Sequence, residues 1–255
     1  MERIVKYPRT PHLVGSKLQA GDEDISQIPF SQIAGKNLVV EEKVDGANTA
    51  ISFSAEGELL LQSRGHFLTG GYRERHYDLF KVFAAERRAE LYKLLGSRYI
   101  LYGEWLYAKH KVYYDALPAY FLEFDIFDKE RSVFLDTQTR REMLDGSSVQ
   151  SAPVLASGVF KTQKELLKLL GRSLFVSEKR EENLRLELAK KGIEAGQVLD
   201  ETDLSGLAEG LYIKVEEGGV VKNRLKYVRY GYTQVKPTEG EWLNKPIIPN
   251  KLAKD

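Results

Sequence analysis

In Leu38-Val39-Val40-Glu41-Glu42-Lys43-Val44-Asp45-Gly46-Ala47-Asn48-Thr49-Ala50-Ile51-Ser52-Phe53, Leu38 to Glu42 reads as an apolar strand and Thr49 to Phe53 as a second, with a short break between them that holds Asp45-Gly46. The break puts Lys43 where a strand end meets a tight glycine turn. A lysine amine can act as a covalent nucleophile if its surroundings lower its pKa, and the following glycine lets the backbone approach a phosphate closely. Alone, the same residues describe a surface lysine beside an ordinary Asp-Gly turn.

Outward from this stretch, Glu58 to Gln62 reads as a strand that closes a hairpin over Ser54-Ala55-Glu56-Gly57. Tyr77 to Leu95 carries apolar residues at helical spacing, as one amphipathic helix, continuous or broken, ending at Gly96. Strands are expected at Tyr99 to Trp105, Ala119 to Phe127, Val133 to Leu135 and Val154 to Phe160. Helices are expected at 137 to 145, Gln163 to Leu170 with Thr162 as N-cap, and Ser177 to Lys191. Gly210 to Glu216 and Val220 to Arg229 form a last hairpin over Glu217-Gly218-Gly219. Strands and helices alternate without a regular βαβ beat, so the expected class is α+β, with mainly antiparallel sheets and flanking helices.

The chain has 255 residues and a net charge of +1, with no low-complexity stretch; one globular domain over 1–255 is expected, with 1–36 a turn-rich flank and 232–255 a proline-marked tail. The charge balance excludes a uniformly basic nucleic-acid surface, so a polyanion must be gripped locally. Two basic-plus-aromatic patches suit phosphate contact and base stacking: Arg64, His66, Arg73, Arg75 and His76, and Lys222, Arg224, Lys226 and Arg229. The chain has no cysteine, which excludes disulfides and cysteine chemistry, and its four histidines show no metal-ligand spacing. No run is long and apolar enough for a membrane span and the amino terminus lacks a signal-peptide core, so a cytoplasmic protein without a membrane partner is expected.

Three further stretches place acids where burial would penalise them. Glu104 lies in Leu101-Tyr102-Gly103-Glu104-Trp105, Glu209 opens Glu209-Gly210-Leu211-Tyr212-Ile213-Lys214, and Asp125 follows the aromatic Phe124 in Phe121-Leu122-Glu123-Phe124-Asp125-Ile126-Phe127. In order along the chain, these segments resemble the motifs of covalent nucleotidyltransferases, and particularly the phage RNA ligase 2 family of ATP-dependent RNA-repair ligases. Glu42-Lys43-Val44-Asp45-Gly46-Ala47-Asn48 is similar to motif I, Ser63-Arg64-Gly65 to the arginine segment after it, and Tyr102-Gly103-Glu104-Trp105 to motif III. Phe124-Asp125 resembles motif IIIa and Glu209-Gly210 motif IV. Motif V has two registers, Lys222-Asn223-Arg224 or Arg224-Leu225-Lys226, with an arginine replacing one lysine in either; the second is preferred because Lys226-Tyr227-Val228 continues a strand.

The resemblance implies an ATP-grasp-like nucleotidyltransferase domain without an oligonucleotide-binding (OB) barrel, since few residues follow motif V. It implies Lys43 as the residue joined to AMP, at a pKa depressed by nearby cations and partial desolvation, and Lys226 as a phosphate contact. Glu104 and Glu209 would take Mg²⁺ or Mn²⁺, and ATP would be held by Glu42, Asp45, Gly46, Asn48, Arg64, Phe124, Asp125, Lys222 and Arg224, with Phe124 stacking the adenine. The implied partner is RNA or a nicked duplex with 5′-phosphate and 3′-hydroxyl ends, prepared by an end-healing kinase or phosphatase. A DNA or mixed-strand nick ligase, a capping guanylyltransferase, and a binding module that kept the fold without catalysis are the alternatives. Structurally, Glu104 and Glu209 would be arginine partners, Phe124 plain core and Arg64 a cross-strand neighbour.

Overall fold

The computed structural model describes residues 3–18, 21–22, 24–232 and 246–253. The strands in chain order are β1 (His12–Leu13), β2 (Gln27–Ile28), β3 (Leu38–Lys43), β4 (Ala47–Phe53), β5 (Leu59–Ser63), β6 (Tyr99–Trp105), β7 (Phe121–Asp128), β8 (Val133–Phe134), β9 (Gln150–Ser151), β10 (Val154–Gly158), β11 (Gly210–Glu217) and β12 (Val220–Val228). The helices are α1 (Asp78–Glu86), α2 (Arg88–Leu95), α3 (Thr137–Leu144), α4 (Gln163–Leu167), α5 (Arg180–Lys190) and α6 (Ala195–Asp200). They build two sheets, one ordered β10-β3-β11-β12-β1-β2 and the other β5-β4-β6-β7-β8, with β9 beside β7. The class is the expected α+β: the long pairings are antiparallel, while β1 with β12, β1 with β2, and β7 with β9 are parallel.

The break at Asp45-Gly46 carries the chain from one sheet to the other, since β3 lies in the first and β4 in the second. Alternation along each strand then sorts the side chains. Leu38 and Val40 of β3, Leu211 and Ile213 of β11, and Leu225 of β12 pack on an outer core with Ile33, Phe160 and Leu166. Ile51, Phe53, Leu101 and Phe121 of the second sheet pack beneath α1 and α2 through Phe80, Ala84, Leu91 and Leu95. The opposite faces of both sheets meet in an aromatic layer holding Tyr7, Ala50, Tyr102, Phe124, Phe134 and Tyr212.

Charged groups are buried in that same layer. Arg140 of α3 donates to Glu123 of β7 and, at 2.8 Å, to Glu41 of β3. Lys214 of β11 also reaches Glu41, at 2.9 Å, lies 3.5 Å from Asp125, and donates to the Phe124 carbonyl. Arg224 lies 3.6 Å from Asp125, and Tyr7 donates to Asp125 as well. Burial acts to lower Arg140, but Glu123 and Glu41 hold it well above the ordinary guanidinium value.

Local sequence accounts for the boundaries. Gly218 and Gly219, at φ +62° and +79°, form the two-residue loop between β11 and β12, a geometry that favours glycine at both positions. Thr162 caps α4 by accepting from the Glu165 N–H at 3.1 Å, as expected. The helix expected over Tyr77–Leu95 breaks at Arg87, whose ψ of 12° ends one helix and starts the next. The α6 helix was not expected, because Gly196 sits inside it, and α5 begins later than the expected Ser177.

Two short segments of the 1–36 flank join the first sheet as β1 and β2, with β1 paired to β12 at His12 and Lys226. Residues 233–245 and 254–255 of the expected tail lie outside the described residues. The described part is packed rather than loose: Asn250 is buried, accepts from the Tyr114 N–H at 2.9 Å and donates to the Leu106 carbonyl at 2.7 Å. No helix among the described residues is long and apolar enough to cross a membrane, and no OB barrel stands among them.

Replacing Arg140 with Met should destabilise the fold by about 3–5 kcal/mol, because buried Glu123 would lose its cation and Glu41 would keep Lys214 alone. Urea unfolding checks this against Lys93→Ala on exposed α2 surface, which should change stability by less than about 0.5 kcal/mol.

Candidate active site

The inward faces of the sheets diverge above the ionic layer and enclose a cleft of about 700 Å³. Lys43 enters it from the last residue of β3, and its Nζ donates to Glu209 Oε2 at 2.9 Å. The pairing follows from register, because Gly210 lies opposite Lys43. Gly210 is required there: a Cβ would stand 1.9 Å from the Tyr227 carbonyl oxygen of β12. On the facing sheet Asn48 pairs in register with Glu104, and Glu104 Oε1 accepts from the Gly46 N–H at 3.1 Å. Gly46 admits no side chain either, since its Cβ would meet Leu106 and the Trp105 carbonyl at 2.7 Å.

Lys226 completes the wall from β12, with its Nζ 2.9 Å from Asp22. Glu42, Gly46, Asn48, Arg64 and Phe124 also line the cleft, as do Tyr7, Thr10 and Tyr212, which carried no sequence signal. Phe124 presents its ring edge-on to Tyr7 at 5.1 Å between centroids and tilted to Tyr212 at 6.2 Å. Although Glu42 is on the lining, its carboxylate accepts from the Ser173 hydroxyl at 2.5 Å and the Leu174 N–H at 2.9 Å, on the other side of β3 from Lys43.

Four expected ligand residues lie off the cleft. Asp45 is buried behind the turn, where its carboxylate accepts from the Lys111 and Val112 N–H groups at 2.7 and 3.1 Å. Burial pushes this carboxyl up, and His110, the Tyr232 hydroxyl, Lys43 and the Lys111 N–H overcome it, holding it below its usual range. Asp125 belongs to the ionic layer below the cleft floor. Arg224 lies with it, its guanidinium 4.0 Å from the Phe134 ring centroid. Lys222 is exposed near the hairpin end of β12.

The expected depression of Lys43 is not what its surroundings produce. Burial acts to lower its pKa, but Glu209, Glu104 and Asp45 outweigh burial and raise it above the ordinary amine value. The expectation assumed neighbouring cations; strand register supplies carboxylates instead. Those acids show the reciprocal effect of burial, which pushes Glu104 and Glu209 each up to about 7 against the attraction of Lys43.

This pair suits a hard divalent cation: two anionic oxygen donors whose burial leaves them short of compensating charge. Among the described residues no group of three or more His, Asp or Glu side chains converges as a metal cage. Mg²⁺ and Mn²⁺ do not require one, since Mg²⁺ is commonly held by one or two carboxylates with water and phosphate oxygens completing its shell. Glu104 and Glu209 are the residues that would hold it.

A lysine between acids, with a second lysine two strands away on the same wall of an intersheet cleft, is an arrangement suited to group transfer. The RNA ligase family model matches residues 36–228, and the chain belongs to the RNA ligase family. Solved structures of similar fold include an archaeal ATP-dependent RNA ligase, 17% identical with a TM-score of 0.51, covering 88% of this chain and 48% of that one. A Naegleria gruberi RNA ligase with pyrophosphate is 16% identical with a TM-score of 0.51, over 89% and 61% of the respective chains. A mutant of that ligase with ATP and Mn is 16% identical with a TM-score of 0.50, over 88% and 60%. The chain therefore spans about half to three-fifths of the length of these ligases. No curated protein sequence matches it.

Glu104 generates a stability prediction with a definite sign. Its folded pKa of about 7 lies above the ordinary 4.5, so the native state binds the proton more tightly than the unfolded chain. Through Glu104 the protein should therefore lose about 1–2 kcal/mol as pH rises from about 5 to about 7, and Glu209, raised for the same reason, adds to the loss. Glu104→Gln, which keeps an acceptor for Gly46, should reduce that slope in chemical denaturation to the share left by Glu209, and equal or exceed the wild type in stability at pH 8.

Proposed function

We propose that this protein is an ATP-dependent RNA ligase whose Lys43 carries AMP. The observation that carries the reading is the placement of Lys43 in the cleft, beside Glu209 and near Glu104, with Lys226 on the same wall. Family membership and the ligases of similar fold support it, including one with ATP and Mn and one with pyrophosphate.

In the first step the Lys43 Nζ attacks the α-phosphorus of ATP. A nitrogen–phosphorus bond forms, the bond to the bridging oxygen breaks, pyrophosphate leaves with that electron pair, and the amine proton passes to solvent. Lys226 stabilises charge growing on the transferred phosphate, and Asn48 and Arg64 hold ribose or nucleic-acid groups at the rim. Phe124 packs against the adenine. A divalent cation, when bound, supplies positive charge beside Glu104, Glu209 and the leaving phosphates.

The raised pKa of Lys43 fits this order of events. With both acids uncompensated Lys43 is an ammonium ion without a lone pair, so nucleophilicity appears only once the carboxylate charge is offset. AMP then passes from Lys43 to an RNA 5′-phosphate, and a 3′-hydroxyl displaces it to form the phosphodiester. Ends of this kind come from a kinase or phosphatase acting beforehand, and the reading sets the reaction in the cytoplasm.

Incubation with α-labelled ATP and Mg²⁺ or Mn²⁺ should give label that survives denaturation and is absent from Lys43→Ala. No label in the wild type would overturn the reading. Lys226→Ala should slow labelling by about 10²-fold, whereas Lys222→Ala should stay within about twofold; the reverse order would exchange the two motif V registers. Nicked duplexes varied in RNA and DNA on each side of the break should show preferential sealing of RNA ends. Equal sealing of all-DNA nicks would remove the RNA assignment.

A further inference from the structure

The flank contributes an acid to the cleft that no motif marks. Asp22 lines the cavity, and its Oδ2 takes both the Lys226 ammonium at 2.9 Å and His12 Nε2 at 2.8 Å. The three side chains are 14%, 16% and 0% exposed for Asp22, Lys226 and His12, which separates this cluster from the surface ion pairs that contribute little.

Backbone pairing builds the cluster from below. His12 of β1 lies in register with Lys226 of β12, and the Lys226 N–H donates to the Pro11 carbonyl at 2.9 Å. Ser16 Oγ accepts from the Val228 N–H at 2.8 Å and stands 2.7 Å from His12 Nδ1. Asp22, a carboxylate, can only accept, so it fixes the direction of the chain, and the Ser16 hydroxyl then donates to Nδ1 of the neutral ring. The ring proton therefore belongs on Nε2, the tautomer that donates to Asp22. Burial lowers the His12 pKa, in keeping with a neutral ring. The chain Ser16–His12–Asp22–Lys226 then has one orientation of donors and a balanced charge.

We propose that Asp22, oriented by neutral His12, is a positioning residue that aims the Lys226 ammonium into the cleft and holds its charge for the transferred phosphate. The proposal rests on the ligase reading for the identity of that phosphate, and on the flank geometry for everything else. Burial acts to lower Lys226, and Lys43 on the same wall does the same, while Asp22 and the more distant Glu209 oppose them. Besides these, Lys226 faces His12 from β1 and Tyr212, its register partner, from β11; Arg9 nearby is paired with Asp24. Among these groups Asp22 is the acid in direct contact.

The test is Asp22→Asn, which keeps size and an acceptor oxygen but removes the charge. In protein labelled with ¹³C at lysine Cε, with the Lys226 signal assigned through Lys226→Arg, the Lys226 titration should move to lower pH by about one unit. Circular dichroism confirms that the variant is folded. The alkaline limb of the pH profile for Lys43 labelling by ATP should move the same way, while binding of ATP, read separately by titration calorimetry at pH 7, should weaken by less than about fivefold. An unchanged Lys226 titration in folded Asp22→Asn overturns the proposal whether or not the protein is labelled by ATP. A lowered titration with an unmoved labelling profile overturns the part that concerns the transferred phosphate. Absence of label in the wild type defeats the ligase reading instead, and leaves the titration to decide the role of Asp22.

Discussion

The contact of Glu41 with both Arg140 and Lys214 is the constraint on which the rest of the molecule depends. Glu41 belongs to the first sheet, Arg140 to the helix after the second, and Arg140 reaches on to Glu123 of β7. Buried charges of this kind bring large desolvation penalties, so they are tolerated only where each finds its partner. Here the partners lie on different sheets, and the network forms only when the two sheets meet in one register. Apolar packing alone could slide; an ammonium ion donating to the Phe124 carbonyl and to Glu41 cannot, so the floor of the cleft is set to within a hydrogen bond.

Above that floor the same alternation that buries Glu41 delivers Lys43 two residues later on the same face. Lys214 and Tyr212 bear the same relation on β11, as do Arg224 and Lys226 on β12. In each case one residue serves the intersheet layer and the other the cleft. The wall of the cleft is thus continuous with the structural network beneath it. The cleft itself is electrostatically unfinished: Glu104 and Glu209 are held near pKa 7 by burial with Lys43 as their nearby cation. Such a cleft trades stability for the capacity to take up compensating positive charge, and the raised pKa of Lys43 keeps its amine an ammonium ion while the acids remain uncompensated.

The β3 and β4 strands, the hairpin over Gly218-Gly219, the Thr162 cap and the antiparallel character were legible in the sequence because each depends on local steric and hydrogen-bonding preferences. The positions of Lys43, Glu104, Glu209 and Lys226 along the chain were legible as well, since polar residues in apolar strands stand out from their neighbours. The small β1 and β2 strands were not, for two-residue strands carry no periodicity, and His12 and Asp22 lie in a turn-rich flank that carries no motif. The direction of the Lys43 shift was misread for the same reason: which charges surround a lysine is a matter of strand order and register.

The sequence by itself therefore determined the chemical inventory and the strands that carry it, because residue type and alternation are properties of adjacent positions. Only the tertiary structure decided that Asp45, Asp125 and Arg224 support the cleft from outside it, that Lys226 rather than Lys222 lines it on the wall of Lys43, and that Asp22 comes to Lys226 from some two hundred residues away. These are long-range electrostatic relations, and they exist only once the buried ion network has fixed how the sheets meet.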